Sequence, residues 1–357
     1  MIKTTIFLIM ISLCLMACQR VESLTDQEQE VVNHLTSRMQ THCVGRYVID
    51  LPREVTFGAG VTINDVEISS VQEKDLRSFK AMLVRREFKL RETKSMDKYP
   101  FLYREGHGAS ENTRYFVSRG YTDNDPNFRK IEAYKWDKGY TIKLEIEAND
   151  YTSPNRTSDP LVQKMGFVND TPMKLDRVLN YLNRIRGRSE DDIPAEPGVC
   201  FVGGFITGKA AETGGTEDVR TTFSILHNPD VMFKIYTFTD IQEDTTLMQR
   251  SRMPSVYLNH FNVKTLRSGM VALPNLPAEE WLTSRKTIQG VPGHYFTLEA
   301  NAQTGSPDNP FVMLDLNTGL WDSGISGRPE TASLSDGEAI GLWDAVSRTL
   351  RPRPNAF

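Results

Sequence analysis

The chain has 357 residues, 42 Lys plus Arg against 46 Asp plus Glu for a net charge of −4, and 39% apolar, 25% charged and 9% aromatic residues. That length suits about two domains, and the composition can bury a core, which excludes a disordered polymer; the absence of a basic excess excludes nucleic acid as a main partner. The four cysteines, Cys14, Cys18, Cys43 and Cys200, are too few for a disulfide scaffold and wrongly spaced for a zinc cage.

The first segment, Met1 to Cys18, sets Lys3 ahead of about a dozen mostly apolar residues and ends at Gln19-Arg20. A spanning helix needs about 20 apolar residues, so this reads as an export signal. Its end, Leu15-Met16-Ala17-Cys18, has the form of a bacterial lipobox, with Cys18 as the acylated residue after removal of 1–17. Acyl chains contribute about 0.8 kcal/mol per buried methylene, so they tether a protein to a bilayer without a spanning helix. Gln19 stands where an aspartate favours retention in the inner membrane, which points to the periplasmic leaflet of the outer membrane. Cys43 and Cys200 then remain in an oxidising compartment, either bridged or as two buried thiols.

Residues 18–42 carry Leu24, Val31, Leu35 and Met39 at rough helical spacing among charges, the pattern of a partly helical tether. Strands are expected at Val44–Leu51, Val61–Ile63 and Val66–Ile68, closed by Pro52 and a Gly58-Ala-Gly60 turn. From Asp75 to Lys94 an amphipathic helix competes with a charged strand. Strands return at Tyr115–Tyr121, Ile131–Trp136 and Tyr140–Ala148, the last two joined by an Asp137-Lys-Gly139 turn. Met173, Leu175, Val178, Leu179, Leu182 and Ile185 form the apolar stripe of a closing helix.

The polar stretch Gly187 to Gly198, with Pro194 and Pro197, reads as a domain boundary. The second half restarts with a cysteine-bearing strand, Val199–Ile206, then strands near 220–226, 232–239, 280–288, 293–300 and 311–315. A helix is expected around 246–261, crossed by Pro254, and a final one over 336–350. Both halves run cysteine strand, mixed middle, closing helix. The expected fold is α+β: two similar mixed α/β sandwich-like domains in tandem, 43–188 and 198–357, after a signal peptide (1–17) and a tether (18–42).

No catalytic constellation emerges. A lipase elbow, G-x-S-x-G, is absent, and Gly324-Ile-Ser326-Gly lies in a Gly/Pro region with no helix after it. The six histidines show no zinc spacing. Asp123-Asn-Asp125-Pro-Asn127 begins like a calcium loop, but Phe128 occupies the glycine position and Tyr134 the bidentate glutamate position. No metal, cofactor or catalytic residue is assigned. A tethered, non-catalytic chain points to binding. The long stretch Asn149 to Pro172 holds Tyr151, Leu161, Met165 and Phe167, which either pack back onto the first domain or meet a protein partner.

Four segments carry a resemblance: Cys43-Val-Gly-Arg46-Tyr47-Val-Ile-Asp50-Leu-Pro52; Glu279-Glu280-Trp281-Leu282; Gly290-Val-Pro-Gly293; and Trp343-Asp-Ala-Val-Ser-Arg348-Thr-Leu-Arg351-Pro-Arg353-Pro354. In this order, beside a lipobox, they resemble the immunity lipoproteins that protect bacteria from lipase effectors of the type VI secretion system, over about residues 43–354. The pattern departs at Met16 and in the 149–172 loop. The resemblance implies a non-enzymatic periplasmic protein whose two domains grasp a cognate phospholipase effector, encoded beside it, and block lid movement and substrate access. From the residues themselves, Arg46 and Asp50 share one strand face, and Arg351-Pro-Arg-Pro ends the last helix. The alternatives are an envelope scaffold or assembly factor, or an envelope hydrolase with an unrecognised site.

Overall fold

The computed structural model describes residues 24–357 apart from 97–98, 122–126, 153–159, 166–168, 214, 253–262, 288–289, 301–302, 304 and 320–331. Cys18 and the leader therefore lie outside the described residues, as do the Gly324-Ile-Ser326-Gly turn and most of the Asp123 loop.

Each half is one succession of elements. The first begins with helix α1 (Asp26–Thr36) and the hairpin β1 (Met39–Val44) and β2 (Tyr47–Pro52), then β3 (Val55–Ile63), β4 (Val66–Gln72) and helix α2 (Leu76–Glu92). It continues through β5 (Leu102–Gly106), β6 (Thr113–Arg119), β7 (Phe128–Asp137), β8 (Tyr140–Asn149), α3 (Pro160–Met165), α4 (Thr171–Arg184) and β9 (Ile185–Gly187). The second has β10 (Gly198–Phe201), β11 (Gly204–Thr207), α5 (Ala210–Thr213), β12 (Glu217–Ile225), β13 (Asn228–Phe238) and α6 (Leu247–Ser251). Then come β14 (Lys264–Leu273), β15 (Leu276–Lys286), β16 (Pro292–Ala300), β17 (Phe311–Asn317), α7 (Asp336–Ser347) and β18 (Arg351–Pro352).

Twelve strands form one antiparallel sheet in the order β14-β15-β16-β17-β13-β12-β3-β4-β8-β7-β6-β5. Read outward from its centre, β12-β13-β17-β16-β15-β14 repeats β3-β4-β8-β7-β6-β5, so the two halves share one topology. They meet where β3 pairs with β12, Ala59 opposite Thr221 and Val61 opposite Val219. The sandwich-like domains expected from the sequence are thus two halves of one continuous sheet, because each half's first long strand completes the other's edge. Gly58 and Gly60, expected to make a turn, lie inside β3. The turn falls instead at Asn64-Asp65, both at positive φ (49° and 67°) as a tight hairpin between β3 and β4 demands.

The small strands are exchanged. Strand β18, after the last helix, pairs with β2 of the first half, while β9, after the first half's helix, pairs with β11 of the second. What reads as one strand, Val44–Leu51, is a hairpin turning at Gly45-Arg46, where Gly45 has φ 58°, and Gly203 turns the matching hairpin at φ 75°. The segment read as a tether is docked: Val32 of α1 is buried, and a Cβ on Gly341 of α7 would lie 2.7 Å from it. On this inner side α4 buries Leu175, Val178, Tyr181 and Leu182, and α7 buries Leu342, Trp343 and Val346. Met173, the first residue of the expected α4 stripe, is 57% exposed. On the outer face α2 packs Phe79 and Leu90 onto Phe116 and Tyr134.

Candidate functional site

Of the segments carrying the sequence resemblance, the first, Cys43–Pro52, and the end of the last, Arg351–Pro354, meet between the halves. Cys43 and Cys200, 157 residues apart, are bonded through their sulfurs. Beside them Gly45 N donates to Cys200 O (2.9 Å) and Cys200 N to Gly45 O (2.8 Å). Arg46 does not share a strand face with Asp50; it sits in the β1–β2 turn and reaches Glu217 of β12, Nε to Oε2 at 2.9 Å and Nη2 to Oε1 at 2.7 Å. Both side chains are buried, and the guanidinium also donates to the carbonyls of Gly208 and Ala356. Asp50 instead accepts from Thr41 at 2.7 Å and pairs with Arg351 at 3.4 Å.

Arg351 to Pro354, expected only to stop the last helix, includes β18 and a buried anchor. Arg353 donates to the carbonyls of Gly198 (2.8 Å), Glu196 (2.9 Å) and Pro194, within the stretch read as the domain boundary. Burial, then the nearby Arg46 charge, lowers its pKa to about 10. Arg188 does the same work from the other half, donating to Phe201 O at 3.2 Å and Asp192 O at 2.9 Å. A further knot joins Glu280 to Arg267 (2.7 Å), Arg348 (2.9 Å) and Trp343 Nε1 (3.0 Å). Burial opposes ionisation there, but these donors outweigh it and hold the carboxyl below its usual range. Arg46, Arg188, Arg351 and the disulfide clasp the two halves together, whereas the Glu280 knot ties α7 to the sheet within the second half. A chain so locked presents a preformed surface.

That surface is the outer sheet face between α2 and α6, which no described helix covers. Gly58, Gly60, Glu67, Ser69, Val71 and Arg220 are exposed on it. Across the seam it forms a groove of about 450 Å³ lined by Gly60, Thr62, Lys143, Glu145, Asp218 and Arg220. A Cβ on Gly60 would meet nothing within 4 Å, so the glycine leaves the floor deep rather than relieving a clash. Its charges are tied locally: Lys143 bridges Glu132 (3.4 Å) and Glu145, and Arg220 pairs with Asp218 at 2.7 Å. Further along, Asp315 accepts from Thr297 at 2.8 Å, and burial pushes its carboxyl up to about 6. Among the described residues no three His, Cys, Asp or Glu side chains group to hold a metal ion.

The 149–172 stretch is not structureless. Asp150 bridges Asn169, Asp170 N donates to Asn149 O at 3.0 Å, and α3 and the first two residues of α4 fall within it. Of the residues read as partner contacts, Tyr151 is half-buried at the pinched base and Leu161 on α3 is 62% exposed. Met165 ends α3, its side chain outside the description, and Phe167 lies outside the described residues. The groove's lining includes neither Tyr151 nor Leu161. The sequence reading missed α2's outward face, where Val84 and Phe88 are 67% and 66% exposed. Their four-residue spacing was the available signal.

Two family models match in chain order: the Tle cognate immunity protein 4 N-terminal domain over residues 40–188 and the C-terminal domain over 192–355. No curated protein matches. Among solved structures, the chain is similar to one described as the Tle4-Tli4 complex, at 22% identity and TM-score 0.69, covering 90% of this chain and 99% of that one. It is also similar to the apo immunity protein TplEi of the T6SS from Pseudomonas aeruginosa, at 20% identity and TM-score 0.68, covering 89% and 98%. A third is TplEi complexed with "L" peptide, at 21% identity and TM-score 0.64, covering 88% and 98%. These likenesses show the same fold. With both models together spanning nearly the whole described chain, it belongs to the Tle cognate immunity protein 4 family.

Proposed function

We propose that this protein is a non-enzymatic inhibitor that binds a cognate type VI phospholipase effector and blocks its access to lipid. One observation carries the reading: both halves of the immunity family match in order on a chain whose seam is disulfide-linked and salt-bridged into a single preformed surface. A rigid surface costs little ordering entropy on association, which suits stoichiometric inhibition. The protein works in the periplasm, held by acyl chains on Cys18 at the periplasmic leaflet of the outer membrane, and its effector is encoded beside it. Its working units are 43–188 and 198–357. The lipobox and the oxidised cysteine pair support that location.

Pull-down with the neighbouring phospholipase, its nucleophile replaced by alanine, tests the reading. A one-to-one complex surviving extensive washing is expected. Absence of any complex, with deletion of the gene leaving cells no more sensitive to the phospholipase, would favour the envelope scaffold instead. Radiolabelled palmitate incorporation that is lost in Cys18→Ser tests the anchor separately.

A further inference from the structure

The segment between the acylation site read at Cys18 and the folded body is short. Residues from Leu24 onward are packed: a Cβ on Gly341 of α7 would lie 2.7 Å from Val32 and 3.1 Å from Leu24, and Val31, Leu35 and Met39 pack onto the core. Thr25 and Glu28 cap α1 reciprocally, and Glu28 accepts from Ser335 Oγ at 2.8 Å. The chain from Cys18 to Leu24 reaches at most about 20 Å even when fully extended. It ends at one end of the second half's sheet, where β13, β14 and β16 all begin: Asn228 donates to Ser333 at 3.2 Å, Lys264 pairs with Asp336 at 3.3 Å, and His294 Nε2 lies 2.9 Å from Asp336. Beside α1 this end carries the Leu226-His227 turn, with Leu226 56% exposed, and the exposed Arg38 and Arg53. Both arginines, with His34 and His227, line an open hollow of about 110 Å³. Glu54 pairs with Arg38 (3.3 Å) and His227 (2.9 Å), whereas Arg53 has no carboxylate within 4 Å among the described residues. Asp26 and Glu30 are exposed along α1.

We infer that this end of the molecule is the side turned to the bilayer and rests on phospholipid headgroups, with Arg38 and Arg53 at phosphates and Leu226 at their boundary with the acyl chains. The inference rests on the Cys18 anchor of the proposed function and adds the orientation that such an anchor imposes. A free tether of residues 18–42 would let any side approach the membrane. A span of about 20 Å does not: β13 leads 11 residues away from this end, about 33 Å at the usual strand rise, so the molecule cannot stand on its far strand ends. Among the sides that remain, this one sets an exposed leucine next to an arginine free to meet phosphate, on adjoining loops joined by Leu226 N donating to Glu54 O at 3.0 Å. Phosphatidylethanolamine presents a phosphate and an ammonium, so the basic residues and the carboxylates of α1 both find partners there, and a guanidinium pairs with phosphate through two N–H groups. Such a second contact reinforces acyl anchoring. The Asn64-Asp65 turn and Asp240, at the opposite strand ends, are thereby directed into the periplasm.

The test reconstitutes the acylated full chain in vesicles of phosphatidylethanolamine with a minority of phosphatidylglycerol and of headgroup-spin-labelled lipid, with a fluorophore on Leu226→Cys or Asp240→Cys; Cys43 and Cys200 stay bonded and unlabelled. Quenching at position 226 is expected to exceed that at 240 by about threefold or more, since the length of β13 separates them. Arg38→Glu/Arg53→Glu lowers the quenching at 226 by about half, and unchanged quenching there would overturn the headgroup contact. Unchanged melting temperatures establish that the variants are folded. Equal quenching at the two positions, or stronger quenching at 240, in a chain that floats with the vesicles would overturn the inference and leave the proposed function standing. A chain that floats no better than Cys18→Ser would overturn the anchor itself.

Discussion

Removing the seam's covalent link gives the sharpest stability prediction. In Cys43→Ala/Cys200→Ala the folded state keeps its strand pairing, including the two Gly45–Cys200 backbone hydrogen bonds, because those use main-chain atoms. The unfolded state gains freedom. For a link between positions 157 residues apart, loop-closure entropy corresponds to about 5 kcal/mol at 25 °C, and native links in practice contribute about 2–5 kcal/mol. Urea unfolding of the oxidised parent and the variant measures the difference. The expected loss is about 3–5 kcal/mol, accompanied by a larger m value, because the unlinked chain expands further on unfolding. A loss under about 1 kcal/mol with unchanged m would refute the reasoning, since it would mean that β3–β12 pairing and the exchanged strands persist in the denatured ensemble and already constrain it.

Replacing one member of the buried pair is more costly than replacing both: Arg46→Met strands Glu217 and is expected to lose about 3–5 kcal/mol, most of it recovered in Arg46→Met/Glu217→Leu, as read by the same unfolding curves. Truncation after Leu350 removes β18 and the three carbonyl contacts of Arg353, so the shortened chain is expected to lose soluble folded protein, seen as early amide exchange in residues 194–201. Asp315 provides the pH signature. With its carboxyl pushed to about 6, the folded protein keeps a proton that the unfolded chain releases near 4, so this group's contribution falls as pH rises between about 4 and 6 and is flat above. Asp315→Asn is therefore expected to gain on the order of 2 kcal/mol over the parent at pH 7 and nothing at pH 4; an equal effect at both pH values would contradict it.

The elements that were legible in the sequence are those whose signal is local. The β7–β8 hairpin follows from Asp137-Lys-Gly139, with Lys138 and Gly139 both at positive φ (48° and 83°), and α4 follows from a stripe in which Leu175, Val178 and Leu182 are indeed buried. What escaped depends on distant partners. Gly58 and Gly60 look like a turn until β12 is placed beside them, and nothing near Arg46 announces a carboxylate 171 positions away. The edge strands β5 and β14 carry charges and little alternation, as strands with one unpaired side do. The second half's resemblance in order to the first was visible, but the exchange of β9 and β18 was not, because each is only two or three residues long. Surface function was least legible: periodicity finds the buried side of α2 and is silent on why Val84 and Phe88 lie opposite it.

Stoichiometric inhibition by a preformed surface has a direct functional readout. Titrating the full, disulfide-linked chain into the active phospholipase, with release of fatty acid from phospholipid vesicles as the readout, tests it most directly. A linear fall in activity that ends at one inhibitor per enzyme is expected, with a dissociation constant on the order of nanomolar or tighter. Undiminished activity at a several-fold excess of the chain would contradict it.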